Sequence, residues 1–139
     1  MRARFIHPHR VRRRGAAVLE FAFVAPLLFM VTMGLIEFGR TMMVQQILTN
    51  ASREGARIGA VGVATTDDII DMVEEYTADA LLSGVDVTVT PDPPSSAGFG
   101  EPVTVDVSVL FDEVSWLPAP WFLSGATLRA TTSMRRESL

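Results

Sequence analysis

Glu20 is the one charged residue in an apolar run of 21, Ala16 to Ile36. A carboxylate in such a place has one useful chemistry, which is to seek a cation. Near the end of a membrane helix a charge costs less than the ~2.5–3.5 kcal/mol typical of mid-span, but it still gains from a partner. Reaction chemistry has less to work with. Both histidines, His7 and His9, lie ahead of the apolar run, and the chain has no cysteine. Beyond them the commonest general base, the thiol nucleophile and the usual transition-metal ligands are missing. No paired-carboxylate or Gly-rich phosphate motif stands out. Asp71, Glu74, Glu75 and Asp79 form an acidic run, but they lack the loop spacing and central glycine of an EF-hand and read as a solvated face. No catalytic residue, cofactor or metal is assigned, and the chain does not read as an enzyme.

The elements that must position Glu20 are a basic head and a long helix. As a helix, Ala16–Ile36 would be about 30 Å long, the thickness of a bilayer's hydrocarbon core. Ahead of it the first 14 residues carry six arginines (Arg2, Arg4, Arg10, Arg12, Arg13, Arg14) and no acid. Without residues 1–15 the chain keeps six arginines against all 16 acids, so its formal balance moves from −4 to −10. A basic head before an apolar span holds the N-terminus in the cytoplasm and sends the acidic body across the membrane. That topology accounts for the arginines, so nucleic acid is not expected as a partner. A cleaved secretory signal fits poorly. The span is longer than such a region, and it ends in Thr32-Met33-Gly34-Leu35-Ile36-Glu37 with no small-x-small site. A plain signal anchor fits the length and charge.

A third reading comes from the junction. Arg12-Arg13-Arg14-Gly15 runs into Ala16-Ala17-Val18-Leu19-Glu20-Phe21, and this Gly–x4–Glu arrangement resembles a prepilin peptidase site. By that resemblance the peptidase cuts after Gly15, Ala16 becomes the new N-terminus and the span stays on the mature protein. The freed α-amino group, with a pKa of about 8, is mostly positive. In a stack of subunits the Glu20 of one chain can meet the amine of its neighbour and fix their register. The bland alternative is a Glu20 that snorkels at the interface.

The resemblance extends further. Ala17-Val18-Leu19-Glu20-Phe21-Ala22-Phe23-Val24-Ala25-Pro26-Leu27-Leu28 is similar to the start of the TadE-like family, the minor pilins or pseudopilins of the tight-adherence (Tad/Flp) pilus system. Gly34-Leu35-Ile36-Glu37-Phe38-Gly39-Arg40 and Ala51-Ser52-Arg53-Glu54-Gly55-Ala56-Arg57 agree with it as well. Major Flp pilins usually carry Tyr after the glutamate and are much shorter, so Phe21 and the long C-terminal region point to a minor subunit. The resemblance implies a prepilin peptidase, other pilins and pilus assembly proteins as partners, besides membrane lipid. It places the chain in the inner (cytoplasmic) membrane, or in a pilus. Pro26, which lacks an N–H, is expected to bend the span. Glu37 with Arg40, and Arg53, Glu54 and Arg57 among themselves, are spaced for local pairs on a solvated helix face.

After the span the helix is expected to continue to about Gly62. Val44, Ile47, Leu48, Ala51, Gly55 and Ile58 recur at three- and four-residue steps and make a docking stripe, expected to face the protein's own sheet, the other reading being neighbouring pilins. Gly55 and Gly59 weaken a helix, which suggests close approach of another backbone. A second helix is expected from Thr66 to Leu82, capped by Thr65 or Thr66, with Asp67 and Asp68 in its first turn. Its apolar face reads Ile69, Val73, Tyr76 and Ala80. Period-two alternation then gives three strands: Val85, Val87 and Val89; Val103, Val105, Val107 and Val109; Leu128, Ala130 and Met134. The proline-rich stretch 91–102 is too broken for regular structure. Trp116-Leu117-Pro118-Ala119-Pro120-Trp121-Phe122-Leu123 is expected to pack over the open end of the sheet. The other reading is an exposed patch for a partner or the membrane surface.

The expected architecture is therefore α+β and pilin-like. A basic leader occupies 1–15, a transmembrane helix with an amphipathic extension 16–62, and an exported αβ domain 63–139. The alternative to a processed pilin is an unprocessed, single-pass membrane-anchored binding or scaffold protein.

Overall fold

The structure is a computed structural model and describes residues 12–116 and 124–137. The chain divides into two units, Met1–Ile36 and Glu37–Leu139. Helix α1, Arg12–Ala60, supplies all the described residues of the first and opens the second.

In the first unit the apolar side chains of α1 point outward on every side. Val18, Leu19, Phe21, Phe23, Val24, Leu27, Leu28, Phe29 and Val31 are all exposed. A helix that is apolar all round belongs in a protein core or a membrane, and among the described residues of this unit nothing covers it. Its most apolar stretch has a mean hydropathy of 2.1, and among the described residues it is the one helix long and apolar enough to cross a bilayer. The Thr32 hydroxyl donates to the Leu28 carbonyl at 2.8 Å, so this polar group is satisfied within the helix.

The second unit is an α+β layer pair. Its three-stranded antiparallel sheet runs β1 (Asp86–Thr90), β2 (Pro102–Leu110), β3 (Thr127–Arg135) in spatial order. Register puts one face of each strand together. Val105 lies opposite Val89 on one side and Thr132 on the other, and Val107 opposite Val87 and Ala130. The four β2 valines Val103, Val105, Val107 and Val109 are buried. On the outer face Asp106 accepts hydrogen bonds from Thr131 and from Arg129, the latter at 2.7 Å.

The buried face of α1 in this unit runs Val44, Leu48, Ala51, Ser52, Gly55, Ala56, Gly59, with Ile47 and Ile58 half-buried at its margins. The stripe docks on the chain's own sheet, as its spacing implied. The glycines, however, make room for side chains rather than for a backbone. A Cβ on Gly59 would sit 2.9 Å from Val103 Cγ1 and 3.1 Å from Ile69 Cδ1. Ser52 and Thr132 share a hydrogen bond of 2.8 Å between helix and β3, and Gln45 Nε2 donates to the Arg129 carbonyl.

Helix α2, Thr66–Asp79, is shorter than its sequence suggested. Thr65 and Asp68 cap it reciprocally: the Asp68 N–H donates to Thr65 Oγ1 at 3.2 Å, and the Thr65 N–H donates to Asp68 Oδ2 at 2.8 Å. It stops because Leu81 takes the left-handed conformation, φ 58°, and the Leu82 N–H returns to the Thr77 carbonyl. The buried face is Ile69, Val73 and Thr77, while Tyr76 turns outward. Thr77 tolerates burial because its hydroxyl donates to the Val73 carbonyl at 2.9 Å.

The stretch between β1 and β2 holds a short 3-10 turn, Pro94–Ser96, where proline at the first position fits a helical φ. Pro94 and Ala97 are buried, and Arg136 Nη1 donates to the carbonyls of Ser95 and Ala97. A one-turn helix α3, Phe111–Val114, follows β2 and buries Phe111 and Val114 in the core.

Candidate cleavage and assembly segment

Gly15, Ala16, Glu20 and Pro26 all fall on the first half of α1, and Gly15, Ala16 and Glu20 are exposed. A Cβ on Gly15 would meet nothing within 4 Å. Folding therefore does not demand glycine at 15, and a requirement for it has to come from something that acts on the chain. One helical turn after Ala16, Glu20 stands among exposed apolar neighbours, Leu19 and Phe21 beside it and Phe23 and Val24 above. Pro26 lies inside the helix.

The second constellation lies at the start of that unit. Glu37 and Arg40 were expected to pair on a solvated face. Instead both are buried, at 5% and 8% exposure, and both reach the end of α3. Arg40 Nε donates to the Val114 carbonyl at 2.9 Å, and its guanidinium lies 5.2 Å from the centroid of the Trp116 ring. Ser115 Oγ lies 3.5 Å from Glu37 Oε1, at the edge of a hydrogen bond. The end of α3 is tied to this part of α1 by the Arg40–Val114 hydrogen bond, and Phe111 and Val114 are themselves buried in the core. The sequence offered one signal: these two charges sit between apolar neighbours, Ile36, Phe38 and Met42, on a helix with little polar surface.

Trp116 is exposed, contrary to the expectation that it packs into the domain. Residues 117–123 of that apolar segment lie outside the described residues.

The pair proposed within the third matching stretch does form. Arg57 donates to both carboxylate oxygens of Glu54, to Oε2 at 3.0 Å. The hydrogen bond and the nearby positive charge hold the Glu54 carboxyl below its usual range and raise Arg57. Both are solvent-exposed, so the pair ties the helix surface rather than building a site. Among the described residues no group of His, Cys, Asp and Glu side chains is arranged to hold a metal.

A helix of this kind, apolar on all sides and carried on a small αβ domain, defines a chain compatible with a single-pass membrane anchor. The family model described as TadE-like protein matches residues 15–57, which covers the first unit from Gly15 onward and most of the rest of α1. Over that segment the chain is similar to TadE-like proteins. No curated protein and no solved structure matches the chain.

Proposed function

We propose that this chain is a minor pilin of a Tad/Flp-type pilus, freed from its leader by a prepilin peptidase and incorporated through its membrane helix. The observation that carries the proposal is one conjunction within the TadE-like segment. A basic run ending in Gly15, a carboxylate five residues on and an uninterrupted apolar helix occur together. The chain inserts with its arginines in the cytoplasm and its acidic body outside. Cleavage after Gly15 creates an amine at Ala16, and the Glu20 of an adjacent subunit pairs with it inside the apolar bundle. Desolvation makes that pair sensitive to position, so it sets register more than it adds affinity. Pro26 bends the helix below the pair. The role is one of assembly, with no catalytic step.

The test is the intact mass of the protein isolated from its native membranes, which is expected to lack residues 1–15. Gly15→Ala should leave the leader in place. Glu20→Leu should give a processed protein that remains in the membrane and is absent from sheared pili. Native material that still begins at Met1 in the presence of active peptidase refutes the reading and leaves an unprocessed membrane-anchored binding or scaffold protein.

A further inference from the structure

The first turns of α1 beyond the apolar span are built inside out for water. Between Glu37 and Met43 the two charged residues are turned inward, while Phe38, Met42 and Met43 are exposed at 61%, 57% and 50%. Trp116 adds a ring that is 70% exposed and lies against Arg40. A helix turn bathed in water would show the reverse, with Glu37 and Arg40 outside and the large apolar side chains against the domain. This arrangement needs no accident of sequence to hold it. Arg40 is fixed by its bond to the Val114 carbonyl, and that same contact sets Trp116 two residues beyond the anchored end of α3.

Length says what surrounds these residues. Ala16–Ile36 fills a hydrocarbon core of ~30 Å. The seven residues Glu37–Met43 add about 10 Å of helix, against an interfacial layer of roughly 5–8 Å on each side. The exposed apolar set thus begins two residues past the span, runs through the headgroup layer and ends a few Å beyond it for an upright helix, less for a tilted one. Tryptophan favours that layer because its ring is apolar and its N–H still finds a polar partner. We propose that Phe38, Met42, Met43 and Trp116 form a membrane-seated collar that buries itself in the headgroup layer of the bilayer and fixes the depth of the exported domain. Arg40 is the positioning residue for Trp116. The inference rests on the membrane-anchored reading above, but not on leader cleavage or on entry into a pilus.

The full chain carrying Trp121→Phe, which leaves Trp116 as its one indole, is reconstituted in vesicles of phosphatidylethanolamine and phosphatidylglycerol. Flotation with the vesicles reports the span, and Trp116 fluorescence reports the collar. Phospholipids brominated near the headgroup should quench most of the Trp116 emission, those brominated near the chain ends much less, and aqueous acrylamide little. Trp116→Phe in the otherwise natural chain should remove the same shallow-quenched component, which checks the result without the Trp121 substitution. In floated protein, emission quenched by acrylamide and untouched by brominated lipid overturns the proposal, as does emission protected from both, which would mean a protein partner. Failure to float is a failure of the membrane reading itself and takes the collar with it.

Discussion

Arg40 Nε and the Val114 carbonyl, 74 positions apart in the chain, are joined by a buried hydrogen bond of 2.9 Å. It ties the part of α1 that opens the second unit to the one-turn helix after β2. Removing it leaves a buried carbonyl unmatched and takes away the cation three residues along from buried Glu37. An unsatisfied buried group costs about 1–3 kcal/mol. Arg40→Leu is therefore expected to destabilise the second unit by that amount, read as a lowered urea midpoint for the full chain in detergent micelles. An unchanged midpoint would mean that this contact contributes nothing to folding.

Gly59 is held by Val103 and Ile69, and two opposing effects decide what alanine does there. Alanine favours a helix over glycine by about 1 kcal/mol, whereas overpacking a core costs typically 1–3 kcal/mol. The new Cβ would meet Val103 Cγ1 at 2.9 Å, closer than real contacts allow, so overpacking wins. Gly59→Ala should lower stability by ~1 kcal/mol. At Gly55 the nearest approaches are 3.2 Å, which small side-chain shifts can absorb, and Gly55→Ala should fall close to neutral. Equal losses at both positions in denaturant titrations would contradict this ranking.

Much of the fold could be read from periodicity because its strands are half-buried. Val103, Val105, Val107 and Val109 show the alternation that a sheet with one covered face imposes. The sheet could be placed from them, and the stripe of α1 from Val44, Leu48 and Ala51. What escaped was long-range. Only their apolar neighbours Ile36, Phe38 and Met42 set Glu37 and Arg40 apart from a solvated i,i+3 pair, since their partners are supplied by α3 and the residue after it. Nor could spacing place Thr77 ahead of Tyr76 on the buried face of α2. A threonine is admitted there because its hydroxyl can bond within the helix, while the larger tyrosine stays partly in water. The cleavage site proposed at Gly15 belongs to another category. As proposed it is recognised by an enzyme, and a Cβ at Gly15 would meet nothing within 4 Å, so packing gives no sign of it.

Thr65 and Asp68 make stability depend on pH in one direction. The Thr65 backbone N–H, and after it the Thr65 hydroxyl, hold the Asp68 carboxyl below its ordinary value. A carboxyl lowered on folding contributes stability that is complete above its unfolded pKa, near 3.9, and is lost as pH falls through the lower folded value. Asp68→Asn should therefore flatten this part of the acid limb and leave the slope above about pH 5 unchanged. Thr65→Ala removes the cap itself and should cost ~1 kcal/mol at neutral pH. Thermal melts from neutral to acid pH separate the two. If the Asp68→Asn chain loses stability on acidification just as the natural chain does, this role for Asp68 is ruled out.

Leu81 ends α2 at a position where glycine is the ordinary choice. Its φ of 58° brings Cβ against the backbone, a conformation that costs an L-residue roughly 1–2 kcal/mol. Its side chain is exposed at 88%, so little burial offsets that cost. Leu81→Gly relieves the strain but widens the freedom of the unfolded chain, and glycine's extra entropy takes back about 0.5–1 kcal/mol. The remainder favours glycine, and the variant should be more stable by ~0.5–1 kcal/mol, with α2 still ending at Asp79. Leu81→Ala, which keeps the Cβ and removes only exposed atoms, should stay near the natural value. If alanine stabilises as much as glycine, the gain comes from shedding an exposed apolar side chain, and the left-handed backbone at residue 81 carries no cost.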